Sequence, residues 1–308
     1  MLIAVQLFGG LALLFVGAEA LIKGAVSLGT RLGLSPLVVG LTMVAFGTSA
    51  PELVVSVNAA SAGYGGIAIG NVVGSNICNL ALILGMVAIV RPATVDAALI
   101  RSGGPVMIGA TLMLIVLLLN GRLSRLDGAM LAAGIVVYTL FLFRSRQSSE
   151  QLAAETPAAV KSLPLAIFLF GAGLALLVAG GSLFVKGGAA LAIGLGVAPA
   201  VVGLTVMAAG TSMPELATSV VGAARGHGAM ATGNLIGSNV FNALAIPGVA
   251  AMITPLGRGG VGLVDLAIML AVSLLALLFM FTGSRLNRLE GILLLTTYVS
   301  YCVWLYLT

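Results

Sequence analysis

Residues Gly40 to Leu53 read GLTMVAFGTSAPEL, and residues Gly203 to Leu216 read GLTVMAAGTSMPEL. Each stretch sets a glutamate, Glu52 or Glu215, inside apolar sequence, and positions 52 and 215 define an offset of 163 residues. The same offset relates GNVVGSNICN (Gly70 to Asn79) to GNLIGSNVFN (Gly233 to Asn242), Lys23-Gly24 to Lys186-Gly187, and RLSRLDG (Arg122 to Gly128) to RLNRLEG (Arg285 to Gly291). The chain is a duplicated unit along nearly its whole length. Both copies keep a carboxylate, hydroxyls, amides, glycines and a proline where a lipid-embedded helix should be plain hydrocarbon.

The 308 residues are 60% hydrophobic and 7% charged, with a mean hydropathy of +1.21. That leaves too little polar surface for a soluble globule, so the sequence predicts an integral, multi-pass membrane protein. Apolar runs of about 20 residues, the length that crosses a bilayer, fall near 2–22, 36–61, 66–90, 103–120, 128–144, 163–183, 197–224, 229–253, 263–283 and 291–307. The expected fold class is therefore all-α: ten transmembrane helices, five per repeat. The first run lacks the basic start of a cleaved signal, and its continuation through Glu19 and Lys23 matches the second-half stretch ending at Lys186.

An odd number of spans per unit makes the second unit enter the membrane from the opposite side, giving inverted repeats. The expected units are a first five-helix repeat over 1–145, a linker over 146–162 and a second, inverted repeat over 163–308. Loops on one side carry Lys23, Arg31, Arg91, Arg101, Arg144, Arg146, Lys161, Arg225, Arg285 and Arg288, against Arg122, Arg125, Lys186 and Arg258 on the other. The excess places the first side and the linker in the cytoplasm and both termini outside. The net charge of +5 is read as this topology signal. Its Lys and Arg are scattered, so nucleic acid is not an implied partner. The linker, Arg144 to Lys161, is too short to fold as a regulatory domain. Cys78 and Cys302 fall in predicted helices without repeat counterparts and read as small packing residues, not a disulfide framework; His227, in the loop RGHG, reads as solvated.

In the second predicted helix of each half, Gly47, Thr48, Ser49, Pro51 and Glu52 lie within six positions, repeated as Gly210, Thr211, Ser212, Pro214 and Glu215. Proline has no N–H, so Pro51 and Pro214 leave the carbonyls of Gly47 and Gly210 without their helical donor. Broken backbone at membrane depth is tolerated only against protein or a wet cavity, and a cation suits carbonyls beside a carboxylate. The third helices add Asn71, Ser75, Asn76 and Asn79, matched by Asn234, Ser238, Asn239 and Asn242. Gly70, Gly74, Gly233 and Gly237 form small-xxx-small patterns that allow close helix approach. For these glycines and amides alone, packing with interhelical hydrogen bonds is the simpler account. Paired membrane glutamates in broken segments favour an ion site. The other acids look ordinary: Glu19 has Lys23 one turn on, Asp127 and Glu290 begin helices, and Asp96, Glu150, Glu155 and Asp265 read as solvated loop residues.

Two glutamates from inverted halves offer four carboxylate oxygens; with carbonyls and water they reach the six to eight oxygens of Ca²⁺. The absence of a Cys/His cluster in the sequence argues against Zn²⁺ or Cu⁺. Na⁺ is also oxygen-seeking, and the hydroxyls and amides suit sites of lower charge.

The pairs GTSAPE/GTSMPE and GSNICN/GSNVFN resemble the alpha repeats of the sodium/calcium exchanger family, within the cation/Ca²⁺ exchanger superfamily, in its prokaryotic type without a regulatory domain. The resemblance implies inverted five-helix halves with helices broken at the midplane, in the plasma membrane, and alternating access in which the first and sixth helices slide across the rest. It implies Ca²⁺ held by Glu52 and Glu215 with backbone near Thr48 and Thr211. It implies Na⁺ sites from Ala45, Thr48, Ser49, Glu52, Ser75 and Asn79 and from Ala208, Thr211, Ser212, Glu215, Ser238 and Asn242. Some members have aspartate where this chain has Asn242. Here Asn79 and Asn242 are both neutral, so a site charge of −2 matches one Ca²⁺ or two Na⁺.

The expected function is Ca²⁺/Na⁺ antiport, with no cofactor beyond the transported Ca²⁺ and Na⁺. The alternative is Ca²⁺/H⁺ exchange, because two carboxylates sharing a site resist double ionisation and H⁺ can then be the counter-ion. A passive cation channel fits the carboxylates but not inverted broken-helix repeats. An enzyme finds no Ser/His or metal-ligand constellation. The partners expected are inorganic cations and the lipid bilayer.

Overall fold

The computed structural model describes residues 2–97, 99–144, 160–195, 210–282 and 285–307. In lipid, backbone N–H and C=O groups must pair within their own segment, and the apolar runs accordingly form helices. They are α1 (Leu2–Arg31), α2 (Pro36–Thr48), α3 (Ala50–Ser61), α4 (Gly65–Val90), α5 (Leu99–Leu118), α6 (Arg125–Arg144), α7 (Leu163–Gly194), α8 (Met213–Ala224), α9 (Gly228–Ile253), α10 (Leu263–Phe281) and α11 (Arg288–Leu307). Among the described residues eight helices are long and apolar enough to cross a membrane, and nine spans result if the bent pair α2–α3 is one. The span expected at 197–224 is described only from Gly210 onward, and α8 is its later part. The linker expected at 146–162 lies outside the described residues up to position 159.

Two helices run past their expected ends. Glu19 and Lys23 suggest a membrane edge near residue 22, yet α1 continues to Arg31 because Ala25, Val26, Ser27 and Gly29 are buried against the rest of the protein. Similarly, α7 continues past Lys186 to Gly194. At 1.5 Å per residue, helices of this length reach about 45 Å, more than the roughly 30 Å of a hydrocarbon core. They therefore tilt or project.

The pair α1–α7 packs backbone to backbone through glycines spaced seven apart. A Cβ on Gly10 would lie 2.9 Å from Gly180 O, one on Gly17 3.0 Å from Gly173 O, and one on Gly24 2.9 Å from Ala166 O. The contacts run in opposite directions along the two helices, so α1 and α7 are antiparallel. Gly10, Gly17 and Gly24 are the repeat equivalents of Gly173, Gly180 and Gly187. Both halves thus present the same stripe to each other, as a two-fold relation between inverted copies requires.

Two short ladders carry the same relation. β1 (Ala93–Thr94) pairs antiparallel with β4 (Arg285–Leu286), and β2 (Arg122–Leu123) pairs antiparallel with β3 (Leu256–Gly257). By the repeat offset β3 is the counterpart of β1, and β4 of β2, so each ladder joins one half to the other.

The interior belongs to α4 and α9, whose apolar windows are 78% and 83% buried, against 22% or less for α1, α6, α7 and α11. Gly233 and Gly237 let α9 approach α2 of the opposite half: added Cβ atoms would meet Leu37 O at 2.9 Å and Leu41 O at 2.5 Å. The small-xxx-small expectation holds there. The repeat counterparts of Leu37 and Leu41, Ala200 and Leu204, lie outside the described residues. This crossing of α9 over α2 brings third-helix amides of one repeat to the broken helix of the other.

Two of the remaining acids act at helix ends. Asp265 accepts Gly262 N–H at 2.8 Å and Tyr301 O–H at 3.0 Å, so it caps α10 and does not sit free in a loop. Asp127 accepts from the Ser124 N–H and hydroxyl, each at 2.7 Å. Glu19 pairs with Lys23 at 3.8 Å, as expected, and also with Arg225 after α8. Glu150 and Glu155 lie outside the described residues. Cys78 is buried, Cys302 is half-buried, and both are free thiols.

Candidate cation site

The break in the first half sits at Ser49, between α2 and α3, which meet at a bend of 43°. Pro51 starts α3 where its missing N–H costs least, leaving Gly47 without the donor an unbroken helix would supply. A π turn over Gly40–Val44 precedes the break, and a second, Cys78–Ile83, begins one residue before Asn79. Such turns change the facing of the helix that follows them and recur at functional sites. In the second half, Pro214 stands in the first turn of α8 after Ser212.

Glu52 and Glu215 are both 0% exposed, and among the described residues neither has a Lys or Arg in ion-pair range. Their contacts cross the repeats. Ser49 Oγ donates to Glu215 Oε1 at 3.0 Å, and Ser212 Oγ donates to Glu52 Oε1 at 3.2 Å. The second oxygen of each carboxylate, Oε2, is buried without a hydrogen-bond partner. The same holds for Ser75 Oγ, Ser238 Oγ and both amide atoms of Asn79 and Asn242. Positions 71, 75 and 79, like 234, 238 and 242, follow one another at four-residue steps and share a helix face.

Buried polar atoms cost free energy unless they are paired, and a buried carboxylate costs more. Here the orphaned carboxylate, hydroxyl and amide atoms stand on the two glutamate-bearing helices and on the third helices packed against them, a set matched to a hard cation. Ala45 is buried, and its carbonyl accepts Ser49 N–H at 3.0 Å and the Thr48 hydroxyl at 3.5 Å. Ala208 lies outside the described residues. Asn76 and Asn239 depart from the expected set. Asn76 Nδ2 faces Met269 Sδ at 3.6 Å and Asn239 Nδ2 donates to its own helix at Leu235 O, 2.7 Å, each one residue off the four-step row of its own helix.

Asn71 and Asn234 are engaged in hydrogen bonds. Thr48 Oγ1 donates to Asn234 Oδ1 at 3.3 Å and Thr211 Oγ1 to Asn71 Oδ1 at 3.4 Å. Asn71 Nδ2 donates to Ser56 Oγ at 3.0 Å, and Asn234 Nδ2 to Ser219 Oγ at 3.0 Å. Sequence reasoning missed Ser56 and Ser219. The signal was available: they are repeat equivalents, each one turn after a glutamate.

A family model described as sodium/calcium exchanger protein matches residues 2–144 and 165–307. The chain is 36% identical over 303 residues to the putative antiporter CaxA of Alkalimonas amylolytica, covering 95% of each. It is 32% identical over 338 residues to the sodium/calcium exchanger MaX1 of Methanosarcina acetivorans, covering 96% of each. Its fold matches the sodium-calcium exchanger NCX_Mj soaked with 10 mM Na⁺ and 10 mM Sr²⁺, with a TM-score of 0.84, 32% identity, and 97% of this chain and 96% of that one covered.

Proposed function

This chain belongs to the sodium/calcium exchanger family of transporters, and from that premise we propose that it is a secondary antiporter moving Ca²⁺ outward or inward against Na⁺ by alternating access. The observation that carries the reading is the pair of fully buried glutamates, each with an unpartnered oxygen, hydrogen-bonded across the repeats and lacking a basic partner among the described residues. In this reading Glu52 and Glu215 hold Ca²⁺ together with backbone at Thr48 and Thr211. Na⁺ uses the same acids with Ala45, Thr48, Ser49, Ser75 and Asn79, and with Ala208, Thr211, Ser212, Ser238 and Asn242. Two carboxylates balance one Ca²⁺, which accounts for a buried pair of acids that has no lysine or arginine in ion-pair range among the described residues.

The architecture belonging to this reading has ten spans, with residues 1–145 and 163–308 as inverted repeats joined by a cytoplasmic linker over 146–162. The breaks lie at the midplane, both termini are outside, and the membrane is a prokaryotic plasma membrane. The α1–α7 pair, held together by its own glycine stripe, is the unit that slides.

The deciding experiment uses purified protein in proteoliposomes loaded either with Na⁺ or with acid, and measures radioactive Ca²⁺ uptake under each gradient. Uptake driven by internal Na⁺ is the expected result. Uptake driven by protons and indifferent to Na⁺ would replace this reading with Ca²⁺/H⁺ exchange, and dissipative uptake without either gradient would replace it with a channel.

A further inference from the structure

Four asparagines of α4 and α9, at repeat-equivalent positions on the faces that carry Ser75 and Ser238, divide into unlike pairs. Asn79 and Asn242 keep both amide atoms unpartnered, whereas Asn71 and Asn234 use theirs in both directions. Asn234 Nδ2 donates to Ser219 Oγ at 3.0 Å and to Thr218 Oγ1 at 3.2 Å, while its Oδ1 accepts from Thr48. Asn71 Nδ2 donates to Ser56 Oγ at 3.0 Å and to Glu52 O at 3.3 Å, while its Oδ1 accepts from Thr211. An amide with both N–H groups donated and its oxygen aimed at a hydroxyl has little left to offer a cation.

Following these bonds closes two circuits. From the Glu215 carboxylate one passes to Ser49, along the chain to Thr48, across to Asn234, and through Ser219 and Thr218 back to the helix that carries Glu215. The other runs from Glu52 to Ser212, Thr211 and Asn71, and back to α3 through Ser56 and the Glu52 carbonyl. In each circuit the asparagine fixes the distance between one repeat's glutamate-bearing helix and the opposite repeat's break.

We propose that Asn71 and Asn234 are positioning residues: they are not cation ligands, and they lock each glutamate to the broken helix of the other repeat, so that the two halves of the cation site assemble only together. The proposal rests on the antiport reading for its transport readout, but the bond it concerns can be tested by binding alone. Thr48→Val is the least invasive probe, because it keeps the volume and the backbone carbonyl and removes only the hydroxyl that Asn234 accepts.

The experiment compares wild type, Thr48→Val, Asn234→Ala, the double variant and Thr48→Ser. It measures the KM for Ca²⁺ and the maximum rate in proteoliposomes, and the shift in melting temperature of the purified protein with Ca²⁺ or Na⁺. Each single variant is expected to raise the KM for Ca²⁺ about tenfold, the scale of one buried hydrogen bond lost beside a charged group. The double should be no worse than the worse single, because both remove the same link. Thr48→Ser should recover most of the loss. As a contrast, Asn242→Ala combined with Thr48→Val should multiply the two losses, as for an independent ligand. An unchanged KM and melting shift in Thr48→Val, or multiplied losses in the Thr48/Asn234 double, overturns the proposal even if Asn234→Ala fails to fold. A wild type that Ca²⁺ and Na⁺ stabilise but that shows no Na⁺-driven uptake refutes antiport alone, and the melting shifts then decide the role of the asparagines. A wild type that neither ion stabilises overturns both.

Discussion

Glutamine at position 52 or 215 keeps the side-chain volume and removes half of the carboxylate charge in a site where neither acid meets solvent. Leaving one charge where a divalent ion needs two should lower Na⁺-driven Ca²⁺ uptake by about a hundredfold or more, the scale of breaking a buried ionic pairing. The check is flux alongside size-exclusion behaviour, and near-normal flux in either folded variant would remove that glutamate from the site. On the proposed reading, the serines should separate the two ions. Ser75 Oγ and Ser238 Oγ are buried and unpartnered, and a single hydroxyl matters more to Na⁺, which has few strong ligands, than to Ca²⁺ held by carboxylates. Ser75→Ala and Ser238→Ala should therefore weaken Na⁺-driven exchange several times more than equilibrium Ca²⁺ binding, and equal losses in both assays would return these hydroxyls to packing. The two glutamates were legible in the sequence because charge inside an apolar run is expensive and needs a reason. The division among the asparagines was not. Asn234, Asn239 and Asn242 look alike as letters, and only the crossing of α9 over α2 decides which amide meets a threonine and which stays open.

Helices α1 and α7 show what hydropathy hides. Their seven-residue glycine spacing stands in the sequence, but glycine lowers neither charge nor apolarity enough to be noticed in a span, and its meaning appears only when a second stripe faces it. The same pair ran longer than expected because a helix end was inferred from charges that the fold pairs with each other: Glu19 meets Lys23 and Arg225, and α1 goes on. The glycines make a sharp prediction. A Cβ at Gly180 would sit 2.8 Å from Leu14 N and 2.9 Å from Gly10 O, backbone atoms that cannot yield, whereas one at Gly109 or Gly171 meets nothing within 4 Å. Gly180→Val should cost roughly 1–3 kcal/mol by forcing the helices apart, lower the melting temperature in detergent and slow exchange. Gly171→Val on the same helix should leave both unchanged. Equal melting temperatures for the two variants would mean that α1 and α7 are not in backbone contact in the membrane.

At the scale of the whole molecule, the two ladders mark opposite ends of one two-fold relation. β1–β4 gathers Arg91 and Arg285 at one end, and β2–β3 gathers Arg122 and Arg258 at the other. A protein whose halves were equivalent in charge as well as in shape would have no reason to insert one way round. This chain breaks that equivalence: Arg225 closes an ion pair with Glu19 at one end, where the repeat equivalents are Ala62 and Ser182. The same end carries most of the loop Lys and Arg, and it is the end that the proposed topology, following the positive-inside bias, puts in the cytoplasm. Single cysteines can test this in a Cys302→Ser background, since Cys78 is buried. Ala97 is exposed three residues after β1, and Gly260 is exposed three residues after β3, so thiols there lie near opposite ends without disturbing the core. In intact cells a membrane-impermeant maleimide should label Gly260→Cys and leave Ala97→Cys unlabelled until the cells are opened. The reverse pattern would turn the molecule over, and labelling of both positions in intact cells would mean that the duplicated halves insert both ways, so that their near symmetry outweighs the charge difference between the ends.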